Sequence, residues 1–324
     1  MLKKLLAIIL LLPILAFAWE PTHSVVAVVG NAPGAGNEIA FRELTAIISN
    51  TQPKLNFIVE NRPGADSVVS MNYFVTQPND GYHISLPSHM STYVTNDIWE
   101  KSVKKFEYNQ FTDVLTIGKS PLVLVANITS QVNTPVDFIK LISTTDKPIN
   151  VAVGGGAHRT ALEYLLVKGH GKKELVKAIK FQGPLQAVTS VASFNGSGTE
   201  FGIMPIAVAK PLIDSKKVKA IGFTGTHVMP QYPAVPLLNT VAPGINVYAA
   251  WAISLPPNTP QPIVDWYTKT FAAAIHTKEY QTWCYDNVVF TEDSELTPAG
   301  LHKQMDSLRT TFLPILQTID LTKE

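Results

Sequence analysis

The chain has 324 residues, of which 46% are apolar and 16% charged, and its formal net charge is +1. This balance excludes an intrinsically disordered chain, which needs low hydrophobicity and high net charge. It also lacks the basic surplus of most nucleic-acid-binding proteins, so we expect no nucleic-acid partner. The single cysteine, Cys284, excludes an internal disulfide framework and metal sites built from several cysteines. The length favours two domains over one.

Residues 1–18 are predicted to form a secretory signal peptide. Two lysines stand near its start, an apolar stretch rich in leucine and isoleucine follows, and an Ala-x-Ala cleavage signal ends at Ala18. An N-terminal membrane anchor fits less well, because the apolar stretch is too short for a good membrane-spanning helix. We therefore expect cleavage after Ala18 and a mature protein in the periplasm.

The first part of the mature chain alternates between predicted strands and helices. Apolar, β-branched runs predict strands at 25–29, 55–59 and 82–86, and helical spacing of apolar residues predicts helices at about 39–48 and 67–75. Such alternation is typical of a parallel α/β sheet.

The rest of the chain continues this alternation. Thr134 is expected to cap a helix at 135–142, and the longest helix is expected near 298–316. The predicted strands lie at 122–125, 150–153, 178–181, 201–204, 218–223 and 249–255. The pattern therefore predicts a second α/β unit followed by a mainly helical C-terminal region.

Two glycine-containing loops follow predicted strands and precede predicted helices, at 30–36 and at 154–156. The first N–H groups of a helix have no partner within it and lie at the positive end of its dipole. Glycine allows a ligand to approach the backbone closely. Either loop alone could equally be a structural turn, but two of them in two domains could hold an anion in the cleft between the domains.

The string Glu-Asn-Arg-Pro-Gly-Ala at 60–65 is the strongest family signature in the chain. With the motifs at 33–38, 80–82 and 181–183, it makes the sequence resemble the extracytoplasmic solute receptors of tripartite tricarboxylate transporters, often called Bug receptors. The resemblance covers nearly the whole mature chain. Ala35, Asn37 and Glu38 depart from the pattern of that family, so the ligand preference of its better-known members is not carried over.

The resemblance implies an α/β, two-domain periplasmic-binding-protein fold of type II, with the ligand cleft between the domains. Domain I would comprise 20–121 plus 252–324, and domain II would comprise 122–251. The implied function is capture of a small organic carboxylate by hinge closure and its delivery to the membrane permease subunits of a tripartite tricarboxylate-type transporter. A monomer without a cofactor is expected.

The expected ligand-binding residues come from the two loops, from hydroxyls after the third strand and from one methionine of domain II. His158 and Arg159 are the sharpest candidates, because a guanidinium at a helix start can bind a carboxylate through two hydrogen bonds and a histidine can donate one; both could also be ordinary exposed residues. Glu38 is expected to be structural, because it would repel a bound anion. The full set is Ala32, Pro33, Gly34, Ala35, Gly36, Asn37, Ser88, Thr92, Gly155, Gly156, Ala157, His158, Arg159 and Met204.

Two other classes of function remain open at this point. A secreted enzyme acting on small carboxylates is disfavoured because the sequence has no Walker A loop, no G-x-S-x-G elbow and no H-E-x-x-H zinc motif. No catalytic or metal-binding residue is therefore expected. A sensory module that presents a bound carboxylate to a signalling receptor would have the same sequence features as a transport receptor.

Overall fold

The computed structural model describes residues 19–317, which form an α/β structure of two lobes. The predicted signal peptide, 1–18, lies outside the described residues. None of the helices in the described part of the chain combines the length and the apolar character needed to cross a bilayer.

Lobe I is built around a parallel strand trio in which β1 lies between β2 and β3. A π-helical turn, Ser91–Thr95, leads into its short third helix. The strands and helices predicted for this region are confirmed, with small shifts at their ends. The elements of lobe I are β1 (Val25–Val29), α1 (Gly36–Thr51), β2 (Phe57–Asn61), α2 (Val68–Phe74), β3 (His83–Ser85), α3 (Asn96–Trp99), α8 (Gln261–Ile275), α9 (Lys278–Asn287) and α10 (Pro298–Gln317).

Lobe II has a second parallel trio, in which β5 lies between β6 and β7. The predicted cap is confirmed: the Thr134 hydroxyl accepts the N–H of Asp137 at 3.1 Å, and the Asp137 carboxylate accepts the N–H of Thr134 at 2.9 Å. The elements are α4 (Pro135–Thr144), β5 (Ile149–Val153), α5 (Gly156–Lys168), β6 (Val176–Lys180), α6 (Pro184–Ala192), β7 (Phe201–Pro205), α7 (Ile206–Asp214) and β8 (Val218–Phe223).

Two antiparallel strands, β4 (Thr112–Asn127) and β9 (Tyr248–Leu255), connect the lobes. The first part of β4 pairs with β9, and its last part pairs with β7 and β8. The prediction of a strand at 122–125 alone is therefore too short. The part that was not predicted, 112–121, contains two register shifts and ends at Pro121. Bulges and prolines disturb the alternation of side chains by which a strand is predicted from sequence.

Each lobe has buried aromatic packing behind its strands. In lobe I, Phe41 of α1 stacks on Phe271 of α8 with ring centroids 5.9 Å apart. In lobe II, Phe138 of α4 packs edge-on against Phe201 of β7 at 5.3 Å. All four rings are almost fully buried, so truncating any one to alanine should cost about 3–5 kcal/mol. This packing fixes the strands whose carboxyl ends carry the two glycine loops.

Candidate functional site

The two glycine loops face each other across the space between the lobes. Loop 1, residues 30–36, follows β1, and loop 2, residues 154–156, follows β5. They bound a cavity of about 20 Å³, here called the cleft cavity. Its lining consists of Asn31, Ala35, Gly36, Asn37, Ser88, Ser91, Gly154, Gly155, Gly156, Ala157, His158, Pro184, Pro205, Ala249 and Trp251.

Two of the helices that begin at this cavity, α1 and α5, start without a side-chain cap. The residue before α1 is Ala35, and the residue before α5 is Gly155, and neither has a side chain that accepts an N–H of the first turn. Four N–H groups at a helix start lack partners within the helix, and the dipole makes this end positive. Loop 1 and loop 2 therefore bring two sets of N–H donors to one small cavity.

Two positions in the loops need glycine because neighbouring atoms leave no room for a Cβ, and not because the backbone is left-handed. A Cβ on Gly36 would lie 2.3 Å from the Trp251 ring, which forms a wall of the cleft cavity. A Cβ on Gly154 would lie 2.5 Å from the backbone of Gly183, at the start of α6. The walls of the cavity are thus packed directly against the loop backbones.

His158 lines the cleft cavity as an uncharged group. Its Nδ1 accepts the N–H of Gly154 at 3.0 Å, which leaves the ring proton on Nε2. Burial lowers the pKa of His158 to about 3, because the charged ring would be cut off from water. At neutral pH the ring can therefore donate a hydrogen bond to a ligand, but it supplies no positive charge.

Loop 1 is fixed within lobe I by the buried carboxylate of Glu38. Its Oε1 accepts the guanidinium Nε–H of Arg42 at 2.8 Å, and its Oε2 accepts the side-chain amide of Asn61 at 3.0 Å. The N–H of Gly34 also donates to Oε2, at 3.3 Å. These bonds support the structural role expected for Glu38.

Loop 2 and its neighbours form hydrogen bonds with the opposite lobe. The N–H of Gly156 donates to the Ser91 hydroxyl at 3.1 Å. Farther along the cleft, the N–H of Ala32 donates to the carbonyl of Gln182 at 3.2 Å. An ion pair also joins the lobes, with the Lys180 ammonium of lobe II 2.5 Å from a carboxylate oxygen of Glu100 in lobe I. The two lobes are thus in direct contact around the cleft cavity.

Arg159 does not line the cleft cavity. Its guanidinium lies over the ring of Trp99 in lobe I, 4.4 Å from the ring centroid, and its Nε is 4.0 Å from a carboxylate oxygen of Glu163. The side chain is only 5% exposed, so it is not an ordinary surface residue either. In this structure Arg159 links α5 of lobe II to α3 of lobe I.

The structure brings most of the other sequence candidates together. The candidates that line the cleft cavity are Ala35, Gly36, Asn37, Ser88, Gly155, Gly156, Ala157 and His158. The candidates outside its lining, besides Arg159, are Ala32, Pro33, Gly34, Thr92 and Met204. Thr92 and Met204 are fully buried, whereas Pro33 is exposed. Ala32 contributes the backbone contact with lobe II described above.

The sequence candidates did not include several residues of the lining. Trp251 and Ala249 belong to β9, which reaches the site only through its long-range pairing with β4. Pro184 could have been found, because it starts α6 directly after a strand of the second parallel trio. Among residues 19–317, no group of three or more His, Cys, Asp or Glu side chains is arranged to hold a metal ion.

Residues 43–291 match the family described as Tripartite tricarboxylate transporter family receptor. The chain belongs to this family. The resemblance carried by the Glu-Asn-Arg-Pro-Gly-Ala signature is thereby confirmed, and the family consists of solute-binding receptors rather than enzymes. One relative, the "UPF0065 protein in tcbD-tcbE intergenic region" of Pseudomonas sp. (strain P51), is 22% identical over 247 residues, which are 76% of this chain and 71% of the relative.

Solved structures of similar shape confirm the predicted fold. MatC (Rpa3494) from Rhodopseudomonas palustris, solved with bound malate, has a TM-score of 0.83 and 19% identity, covering 92% of this chain and 100% of MatC. The periplasmic binding protein BugD also has a TM-score of 0.83, with 20% identity, covering 92% of this chain and 98% of BugD. The receptor therefore has the two-domain, type II-like fold of periplasmic solute-binding proteins.

Proposed function

We propose that this receptor binds a small organic carboxylate between loop 1 and loop 2. The observation that carries the proposal is that two helices from opposite lobes begin, without side-chain caps, at the same cavity. A carboxylate has the negative charge and the acceptor oxygens that such N–H groups favour. The malate bound to MatC, a protein of similar fold, supports a ligand of this class.

Ligand entry would occur by hinge opening. The cleft cavity has a volume of about 20 Å³, and a cavity of roughly 10–15 Å³ holds a single water molecule. A dicarboxylate therefore needs the lobes to separate before it can enter. We place the domains at 20–121 plus 252–324 and at 122–251, so that β4 and β9 are the segments that bend.

Closure would be driven by contacts that the ligand makes with both lobes at once. A ligand shifts the balance between open and closed forms only by binding one form more tightly than the other. A carboxylate that accepts N–H groups from both loops does so, because only the closed form presents both. Removal from water would also strengthen those hydrogen bonds.

Thermal-shift and calorimetric titration with mono-, di- and tricarboxylates tests this proposal. A ligand that binds only the folded protein raises its melting temperature, by an amount that grows with concentration. We expect at least one carboxylate to do so, and its uncharged methyl ester to have no effect. A receptor that responds to no carboxylate, or equally to acid and ester, would contradict the proposal.

We further propose that the mature receptor is periplasmic and monomeric and delivers its ligand to permease subunits of a tripartite tricarboxylate-type transporter. Membership of the receptor family supports this role. N-terminal sequencing of the exported protein should give Trp19 as the first residue. Deleting the gene should abolish uptake of the ligand. Normal uptake together with a lost transcriptional response would instead identify a sensory module.

A further inference from the structure

A second cavity, of about 240 Å³, adjoins the cleft cavity. The two cavities share two lining residues, Asn31 and Gly154, so a ligand held at the loops can extend from one into the other. The remaining lining of the second cavity comes from both lobes and consists of Gly30, Gly64, Ala65, Asp66, Ser67, Lys180, Phe181 and Gln182. Asp66 and Lys180 are the charged residues in this lining.

Asp66 lies in the middle of three consecutive residues with a left-handed backbone conformation. Ala65, Asp66 and Ser67 have φ values of 45°, 49° and 75°, and a left-handed backbone is unfavourable for residues that carry a Cβ. Such conformations persist where the surroundings impose them, and they cluster at functional sites. Here the Ser67 hydroxyl donates to the carbonyl of Gly30 at 3.3 Å, and the Asn96 amide donates to the carbonyl of Asp66 at 3.3 Å.

The carboxylate of Asp66 has hydroxyl partners but no cationic partner within the described residues. Its two oxygens accept the hydroxyls of Ser91 at 3.0 Å and Thr95 at 3.3 Å. Burial is the main cause that raises the pKa of Asp66, and the charge of Lys180 counteracts it only in part. A buried carboxylate is costly to keep charged unless a positive group compensates it.

Lys180 is already engaged elsewhere, because its ammonium forms the 2.5 Å ion pair with Glu100. Together with Glu100, which pairs with Lys180 outside the lining, the charged side chains here are two carboxylates and one ammonium. A guest with a positive group would neutralise the remaining negative charge, whereas a second carboxylate on the guest would increase the repulsion. The cavity thus favours a cationic group beside the anion-binding loops.

We propose that Asp66 binds an ammonium group of the ligand, so that the receptor prefers carboxylates that also carry an amine. This inference rests on the proposed function, in which loop 1 and loop 2 hold the carboxylate. The ammonium would lie in the second cavity and donate to Asp66. The ligand class would then be amino acids, with the amine at the α position or at the far end of a short chain.

Matched pairs of ligands test this inference on the wild-type protein by calorimetry at neutral pH. The pairs are acetate with glycine, succinate with L-aspartate, glutarate with L-glutamate, and butyrate with 4-aminobutyrate. We expect the amino member of the best-binding pair to bind at least about tenfold more tightly, as befits a charged hydrogen bond. Tighter binding of the member without the amine in every pair that binds would overturn the inference.

The variant Asp66→Asn identifies the residue responsible. It should lose the preference for the amino member, because the carboxylate that would accept the ammonium is gone. Asp146→Asn, which changes an exposed carboxylate in lobe II, is the matched control and should keep the preference. A preference that survives in Asp66→Asn would overturn the assignment of Asp66.

The two proposals fail in distinguishable ways. If no member of any pair binds, the proposed carboxylate function fails and takes this inference with it. If plain carboxylates bind and their amino derivatives do not, the proposed function stands and only the role of Asp66 is wrong. The wild-type comparison needs no variant, so a folding defect in Asp66→Asn would not leave the preference untested.

Discussion

Loop 1 and loop 2, which we propose bind the same carboxylate, are held in place by different contacts. Loop 1 is anchored within its own lobe through the buried Glu38 carboxylate, and its N–H bond to the opposite lobe, from Ala32 to Gln182, lies outside the lining of the cleft cavity. Loop 2 uses one of its N–H groups, that of Gly156, to bond the Ser91 hydroxyl of the opposite lobe. We therefore expect loop 1 to keep its shape when the lobes separate, whereas a carboxylate entering at loop 2 would compete with Ser91 for the N–H of Gly156.

Among changes in the two loops, the largest effect is expected where loop 1 meets Trp251. The Cβ added by Gly36→Ala would lie 2.3 Å from the buried ring, and overpacking of this kind costs about 1–3 kcal/mol. We expect a lower melting temperature together with loss of carboxylate binding. Gly155→Ala is the matched control in loop 2: its Cβ would meet nothing closer than 3.7 Å. Equal melting temperatures for the two variants would contradict this account of loop 1.

The pH dependence of stability is expected to reveal the neutral His158 beside loop 2. Burial lowers the pKa of His158 to about 3, whereas the pKa of an unfolded histidine is about 6.5. The free energy of unfolding therefore keeps its full value with respect to His158 above about pH 6.5. It falls as the pH drops from there towards 3, by up to about 1.4 kcal/mol per pH unit, because the unfolded chain takes up a proton that the folded chain does not.

Urea unfolding of wild type and His158→Gln at pH 6.5, 6 and 5 measures this slope. The variant should lose stability less steeply, by about 0.7 kcal/mol per pH unit at pH 6.5 and about 1.3 kcal/mol per pH unit at pH 5, because one buried histidine is gone. The remaining slope would include His89, whose pKa burial also lowers to about 3. Identical slopes would mean that the His158 ring does not titrate as the structure requires.

Breaking the anchor of loop 1 should have a smaller effect. Glu38→Gln removes the charge that Arg42 and Asn61 contact. Arg42 is largely exposed, so we expect a loss of about 1 kcal/mol in unfolding free energy, with weaker ligand binding. The control Glu60→Gln removes an ion pair with Arg62 in which both side chains are about one-third exposed. The free energy of unfolding of this control should change by less than about 0.5 kcal/mol. Urea titration that ranks the two variants in the opposite order would refute the anchor.

The smallest effect is expected from Ser91→Ala, which frees the N–H of Gly156. Without its competitor, a ligand carboxylate should bind roughly three- to fivefold more tightly, equivalent to a hydrogen bond of about 0.5–1 kcal/mol. Thr45→Ala, which removes an exposed hydroxyl of α1 far from the cleft, is the control. Calorimetry showing weaker binding in Ser91→Ala would mean that Ser91 helps to hold the ligand.

The loops were predictable from sequence because their signals are local. A strand, a glycine turn and a helix follow one another within a few residues, and the confirmed elements on either side of loop 1 and loop 2 are of this kind. The long β4 and the wall residue Trp251 depend on pairing between distant segments, interrupted by bulges. Local patterns carry no information about such pairing.

The sequence also did not predict in which direction the side chains of His158 and Arg159 point. Arg159 follows His158 directly, and adjacent residues on a helix with 3.6 residues per turn point about 100° apart. His158 therefore lines the cleft cavity, while Arg159 faces Trp99 of the other lobe. Which of the two faces the site depends on how α5 of lobe II packs against α3 of lobe I, a contact between segments about 60 residues apart in the chain.

A crystal structure with the tightest-binding carboxylate would show whether both loops hold the ligand. We predict that the ligand's carboxylate oxygens lie about 2.7–3.2 Å from backbone N–H groups of both loop 1 and loop 2, with the Gly156 N–H released from Ser91. A carboxylate bound by side-chain cations elsewhere, with both loops unoccupied, would contradict it.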